Sequence, residues 1–182
     1  KTLLTGLLLY VATADLFSDD ERNLVTIRAL VTAAMTADPE TEDYVLAREA
    51  LRLAETLEAE GYADIAAAIE GSIRSFFEKS ENERASVLST ARRHTDFLDF
   101  AAMKRVVSRH DFSLRDLKRS PGGVSVFLCL PAGRMGMCSR WLRIIVNQLM
   151  DAMEQESASP EAPVLVCLDE FPVLGFMKQL ED

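Results

Sequence analysis

Val164-Leu165-Val166-Cys167-Leu168-Asp169-Glu170 is an unbroken apolar run that ends in two adjacent acids. Its aliphatic, partly β-branched composition predicts a strand buried on both faces, as in a parallel sheet. Upstream, the turn cluster Ser120-Pro121-Gly122-Gly123 opens a second run, Val124-Ser125-Val126-Phe127-Leu128-Cys129-Leu130, closed by Pro131. Between the two, Ser139 to Glu156 places Trp141, Leu142, Ile145, Leu149 and Met153 at helical spacing, and Ser157 to Pro163 forms a loop. Strand, helix, strand predicts a βαβ unit, with about two parallel strands in this part of the chain.

The rest reads differently. No strand-like alternation occurs in about the first hundred residues. Ser18-Asp19-Asp20-Glu21 fits a capping box, and Leu24, Ile27, Val31 and Met35 follow at helical spacing up to a stop at Asp38-Pro39. Leu46, Ala50, Leu53, Ala54 and Leu57 mark another helix, with Gly61 as its C-terminal stop. Ile65, Ile69, Ile73, Phe76 and Phe77 mark the next. Ser80-Glu81-Asn82-Glu83 is a second capping box, opening a helix with Val87, Leu88, Ala91 and Leu98 inward. Short turns between such helices favour antiparallel packing in a bundle. The fold class read from the sequence is therefore mainly α: an all-helical bundle beside a partial α/β domain.

The chain has 182 residues and a net charge of −9. The charge is segregated. Asp15 to Glu83 carries 17 acids against 6 bases, Arg84 to Arg143 carries 12 bases against 4 acids, and the remainder after Arg143 is acidic again. Such blocks speak about partners rather than fold. The 3 cysteines, Cys129, Cys138 and Cys167, show no paired spacing, which argues for a reduced compartment. With only His94 and His110 beside them, a structural zinc site is excluded. Cys129 and Cys167 read as core residues of their strands.

Thr2 to Ala14 is uncharged and follows Lys1. It falls short of the roughly 20 apolar residues that span a bilayer. It imitates a secretory signal ending at Ala12-Thr13-Ala14, but nothing downstream looks secreted. We read it as a buried helix with Leu3, Leu4, Leu7, Leu8 and Val11 on one face, and both chain ends as cuts through a longer protein.

An apolar strand that delivers acids at its C-terminal end puts them where open α/β sheets bind ligands. P-loop NTPases use this arrangement as the Walker B element. There Asp169 would hold the hydrated Mg²⁺ of the nucleotide, and Glu170 would polarise the attacking water. By itself the motif is weak, because many buried strands end in acids. The phosphate-cradling Gly-x-x-x-x-Gly-Lys-Ser/Thr loop is absent, and no glycine here precedes a lysine. The 182 residues alone are expected not to hydrolyse ATP and to hold no bound cofactor.

Leu168-Asp169-Glu170-Phe171-Pro172-Val173-Leu174-Gly175, with Met177 and Leu180-Glu181, resembles the Walker B block of type IV secretion coupling proteins, the TraG/TraD family. Arg84 to Ala91 resembles the segment that follows the family's helical insertion. Val126 to Pro131, Trp141-Leu142-Arg143 and Asn147-Gln148-Leu149 resemble its next strand and helix, and Leu3 to Leu7 the helix before the insertion. The resemblance implies a hexameric ATPase at the cytoplasmic face of the bacterial inner membrane. Such a motor uses ATP and Mg²⁺ and feeds relaxase–DNA complexes or effector proteins into a secretion channel. It further implies a helix of the nucleotide-binding domain at 1–14, an all-alpha cargo-recognition domain at 15–109 and a partial RecA-like domain with Walker B at 110–182. The membrane anchor and phosphate loop would precede Lys1.

Opposing readings stand beside these. The acidic bundle is either a solvated surface or a dock for basic cargo; its sign disfavours DNA. Arg134 and Arg140, in the basic middle, are either solvated or serve as an arginine finger or DNA contact. Trp141 reads as a helix anchor. The alternative functions are a non-catalytic acidic helical adaptor, in which the acid pair is accidental, and another P-loop DNA translocase of the FtsK type.

Overall fold

The computed structural model describes residues 2–33, 42–160, 162–169, 172, 175 and 177. The chain divides into two compact units, 1–109 and 110–182.

The first unit is all helical: α1 (Thr2–Thr13), α2 (Leu24–Thr32), α3 (Glu42–Ala59), α4 (Ala63–Phe77), α5 (Glu81–Thr95), a 3₁₀ turn (Asp96–Asp99) and α6 (Ala101–Val107). One core joins Leu7, Tyr10, Val31, Ala50, Ile69, Ile73 and Phe76, all buried. On α1 the buried stripe is Leu3, Gly6, Leu7, Tyr10 and Val11, while Leu8 is 43% exposed. This differs from the expected leucine face because Gly6, lacking a side chain, is the point of closest approach to α4: a Cβ there would stand 1.6 Å from Ser72 Oγ.

The two capping boxes behave differently. Ser80 and Glu83 exchange hydrogen bonds at the start of α5 as the sequence predicts, Ser80 N and Oγ donating to Glu83 at 3.0 and 2.7 Å. Ser18 and Glu21 make the same pair of bonds, at 3.0 and 2.8 Å, yet close only a turn. The helix starts at Leu24, capped by Asn23 Oδ1, which accepts from Val25 N at 2.8 Å and Thr26 N at 3.3 Å. Asparagine satisfies the orphan donors itself, so the box upstream becomes a separate turn. Gly61 stops α3 as expected, with φ +93°. Tyr62 N donates to Leu57 O at 2.8 Å and Gly61 N to Glu58 O at 3.1 Å, the double bond of a Schellman ending. The expected stop at Asp38-Pro39 lies outside the described residues.

The second unit holds the short α7 (Asp116–Arg119), a 3₁₀ turn (Ala132–Arg134) and the long α8 (Met135–Gln155). α8 begins one turn earlier than Ser139 and buries Cys138, Trp141 and Val146. Among the described residues no strand is formed, which corrects the expected pair. Residues 124–130 and 163–168 run as irregular backbone with no ladder between them. A strand exists only where its N–H and C=O groups meet a neighbour's, and these two runs do not meet. Their side chains are accordingly exposed: Phe127 by 84% and Leu165 by 90%. Cys129 and Cys167 are exposed too, not in a core; of the three thiols only Cys138 is buried.

Candidate functional site

The Walker-type acid Asp169 sits exposed in a turn at the end of the apolar run. Leu168, just before it, packs on a small cluster in which Val146 of α8 meets the buried Met177, flanked by Leu142 and Met150. Gly175 N donates to Pro172 O at 3.2 Å, and Gly175 has φ +64°. A Cβ on Gly175 would lie 3.7 Å from Arg143 Nη1. Gly175 and Met177 thus both lie against α8. Glu170 lies outside the described residues.

Arg134 is exposed in the 3₁₀ turn that leads into α8, and Arg140 is half-buried within α8. Trp141 is buried, as its reading as a helix anchor expects. Asn147 Oδ1 is buried with no hydrogen-bond partner among the described residues, an acceptor that a neighbouring donor would complete. No cluster of metal-ligating side chains occurs among the described residues. Nor, among them, is any helix long and apolar enough to cross a membrane.

Two polar constellations escaped sequence reasoning. In the second unit, Lys118 Nζ donates to the carbonyls of Met153 at 2.6 Å and Glu156 at 2.8 Å, and Arg119 pairs with the buried Glu156 carboxylate. Ala158 N donates to Glu156 at 3.0 Å. That backbone bond first, and Arg119 after it, hold the Glu156 carboxyl below its ordinary pKa. α7 is therefore a cationic cap on the C-terminal end of α8. In the first unit, buried Arg28 ties α2 to the end of α5 through Arg92 O, Thr95 Oγ1 and Asp99. The available signal was an arginine inside the apolar stripe Leu24, Ile27, Val31.

The unit that carries Asp169 combines an apolar run ending in acid, a long helix supporting it and a turn returning to that helix. Comparison with known proteins defines the class: the family model for type IV secretory system conjugative DNA transfer matches residues 1–182, and the chain belongs to that family, as a part of a coupling protein. It is similar to the type IV secretion system-coupling protein VirD4 of Bartonella quintana, 29% identical over 180 residues, which cover 99% of this chain and 26% of the relative. VirD4 of Bartonella henselae matches at the same identity and coverage. The conjugal transfer protein TraG of Escherichia coli is 29% identical over 123 residues, 63% of this chain and 19% of the relative. The chain thus spans 26% of the length of the first of these relatives. No solved structure matches it significantly.

Proposed function

We propose that this chain is the cargo-recruiting and nucleotide-facing part of a type IV coupling ATPase, which brings relaxase–DNA complexes or effector proteins to a secretion channel. The observation that carries the reading is the match along the whole chain to the conjugative DNA transfer family, with Asp169 at the end of an apolar run lodged on α8. In it, 15–109 serves as the all-alpha cargo domain and 110–182 as part of a RecA-like domain. Residues 124–130 and 164–168 become strands once a sheet covers them, which accounts for their exposed apolar side chains. The motor works as a hexamer at the cytoplasmic face of the inner membrane.

An exposed carboxylate on a turn suits a hydrated cation, so Asp169 fits the Mg²⁺ of a bound ATP. ATP supplies the free energy of transport. Glu170 orients the attacking water, and Arg134 or Arg140 contacts a neighbour's nucleotide or the DNA. The chain itself supplies no phosphate loop, so turnover belongs to the full-length protein. The test is Glu170→Gln in a full-length coupling protein carrying this chain. Hydrolysis and transfer are expected to stop while nucleotide still binds; retained turnover refutes the role. An acidic adaptor would show neither nucleotide binding nor any effect of the substitution.

A further inference from the structure

α7 is a helix of 4 residues that buries none of them. A single helical turn does not hold itself together, and apolar burial does not hold this one. The chain before it, 108–113, is exposed throughout. Directly after it, Gly123 N donates to Ser120 O at 3.0 Å and closes a turn. What fixes α7 is polar, and all of it falls on the last turn of α8. Arg115 Nη2 donates to Gln155 Oε1 at 3.2 Å. Lys118 Nζ donates to the carbonyls of Met153 and Glu156, and Arg119 pairs with the Glu156 carboxylate. Cations at 115, 118 and 119 thus close on one helix end, where the dipole and the orphan carbonyls favour them. A grip made of polar bonds, without a core of its own, opens without unfolding the helix it holds.

The two sides of this grip lead to different places. On one side, residues 108–115 separate α6 from α7, and there the chain passes from the first unit to the second. On the other side, α8 runs unbroken for 21 residues. Val146, about 15 Å along the helix axis from Glu156, belongs to the cluster on which Leu168 packs, and Leu168 directly precedes Asp169. A continuously hydrogen-bonded helix moves as one body over that length. A displacement of α7 therefore reaches the residue beside the acid.

Resting on the coupling-protein reading above, we propose that α7 is a releasable clasp through which the first unit acts on the Asp169 end of the second. Closed, it passes tension in the chain leaving the first unit into α8. Open, it leaves α8 and Asp169 in place but disconnected from that pull. Lys118, Arg119 and Glu156 are positioning residues in this device, since they act only through α8.

Two experiments test it. Trypsin must take the Arg119 side chain into its own pocket, so the clasp has to open before the bond after Arg119 is cut. In the intact chain, Glu156→Gln keeps that cleavage site and removes the carboxylate. Cleavage after Arg119 is expected to quicken about fivefold, while cleavage after Arg52 on α3 stays within about twofold. Equal rates after Arg119 in the two proteins overturn the clasp. In a full-length coupling protein, Lys118→Met and Arg119→Ala should each lower transfer about tenfold and leave ATP turnover within about twofold. Lys118→Arg and Arg119→Lys keep the charge and should keep transfer. Three results overturn the proposal: undiminished transfer in Lys118→Met and Arg119→Ala, turnover falling in step with transfer, which marks a merely structural role, or equal loss in the charge-keeping variants. Turnover that survives Glu170→Gln fails the motor reading instead, and leaves the tryptic result standing.

Discussion

Arg28 and Asp99 stand 71 positions apart and meet as a two-pronged pair, Arg28 Nε donating to Oδ1 at 3.0 Å and Nη2 to Oδ2 at 2.5 Å. The third nitrogen, Nη1, donates to Arg92 O at 2.7 Å and Thr95 Oγ1 at 2.9 Å. One guanidinium therefore joins α2, the end of α5 and the following 3₁₀ turn. Asp99 lies below its ordinary pKa, first through the hydrogen bond from Arg28. A carboxylate lowered on folding contributes stability above its unfolded pKa of about 3.9, and that contribution fades as the pH falls through the folded value. Asp99 is 56% exposed, so the pair itself is worth about 1 kcal/mol or less. Asp99→Asn is expected to lower stability slightly at pH 7 and to flatten its fall below about pH 4. Arg28→Met strands the buried Thr95 and Arg92 acceptors as well and should cost about 3 kcal/mol. Urea melts across pH check both.

Gly6 predicts a steric result. In a helix, Gly→Ala gains about 1 kcal/mol of propensity. Here the new methyl meets Ser72 Oγ at 1.6 Å and Ser72 Cβ at 2.6 Å. The hydroxyl could rotate away, but Cβ is fixed to the backbone of α4, so the helices must separate. Overpacking of this kind costs about 1–3 kcal/mol, and Gly6→Ala should be net destabilising. Adding Ser72→Gly removes both clashing atoms and should recover part of the loss. A double-mutant cycle on denaturation midpoints reads the coupling, and additive effects would refute the close approach.

How much of this was legible depends on how far each signal reaches along the chain. Ser80 with Glu83 and Gly61 are local devices, complete within a few residues, and each does in the structure what its chemistry predicts. Ser18 with Glu21 is equally local, yet Asn23 competes for the helix start and wins. Gly6 was invisible because its partner, Ser72, belongs to another helix. The strands failed for the same reason: an apolar run such as 164–168 needs a neighbour to become a strand, and no run of residues specifies one alone. Of the candidate site, the apolar run that ends in Asp169 could be read in the sequence, whereas the Lys118 and Arg119 grip on Glu156 could not, being formed by residues distant in sequence.

That grip gives a prediction about local order. The last carbonyls of α8 lack intrahelical donors, and Lys118 supplies two bonds to them. Lys118→Met removes both, and Arg119→Ala leaves the Glu156 carboxylate without its cation. Both variants should speed hydrogen exchange over the last turn of α8, near Met153 to Glu156, and leave the turn around Trp141 unchanged. Because Glu156 is held below its ordinary pKa, its contribution is present above the unfolded carboxylate range and is lost on acidification through the folded value. Protection of the same amides, taken relative to their intrinsic exchange rate at each pH, should therefore fall at acid pH in the wild type and less so in Glu156→Gln.

Thiol chemistry tests the proposed sheet. Cys129 and Cys167 lie exposed on the two apolar runs, whereas Cys138 is buried in α8. In this chain a thiol reagent should label two cysteines at once and the third only on unfolding, since burial denies it access. Likewise Phe127→Ser and Leu165→Ser, at positions 84% and 90% exposed, should change the chain's stability by no more than about 0.5 kcal/mol. If neighbouring strands cover these runs in a full-length coupling protein, both outcomes reverse. Cys129 and Cys167 become protected, and each serine substitution costs about 2 kcal/mol or more, because apolar side chains that were in water have been drawn into a core. Mass spectrometry after timed labelling separates the cases. Cysteines that react as fast in the full-length protein as in this chain would leave the apolar runs uncovered and remove the sheet on which the placement of Asp169 beside a nucleotide depends.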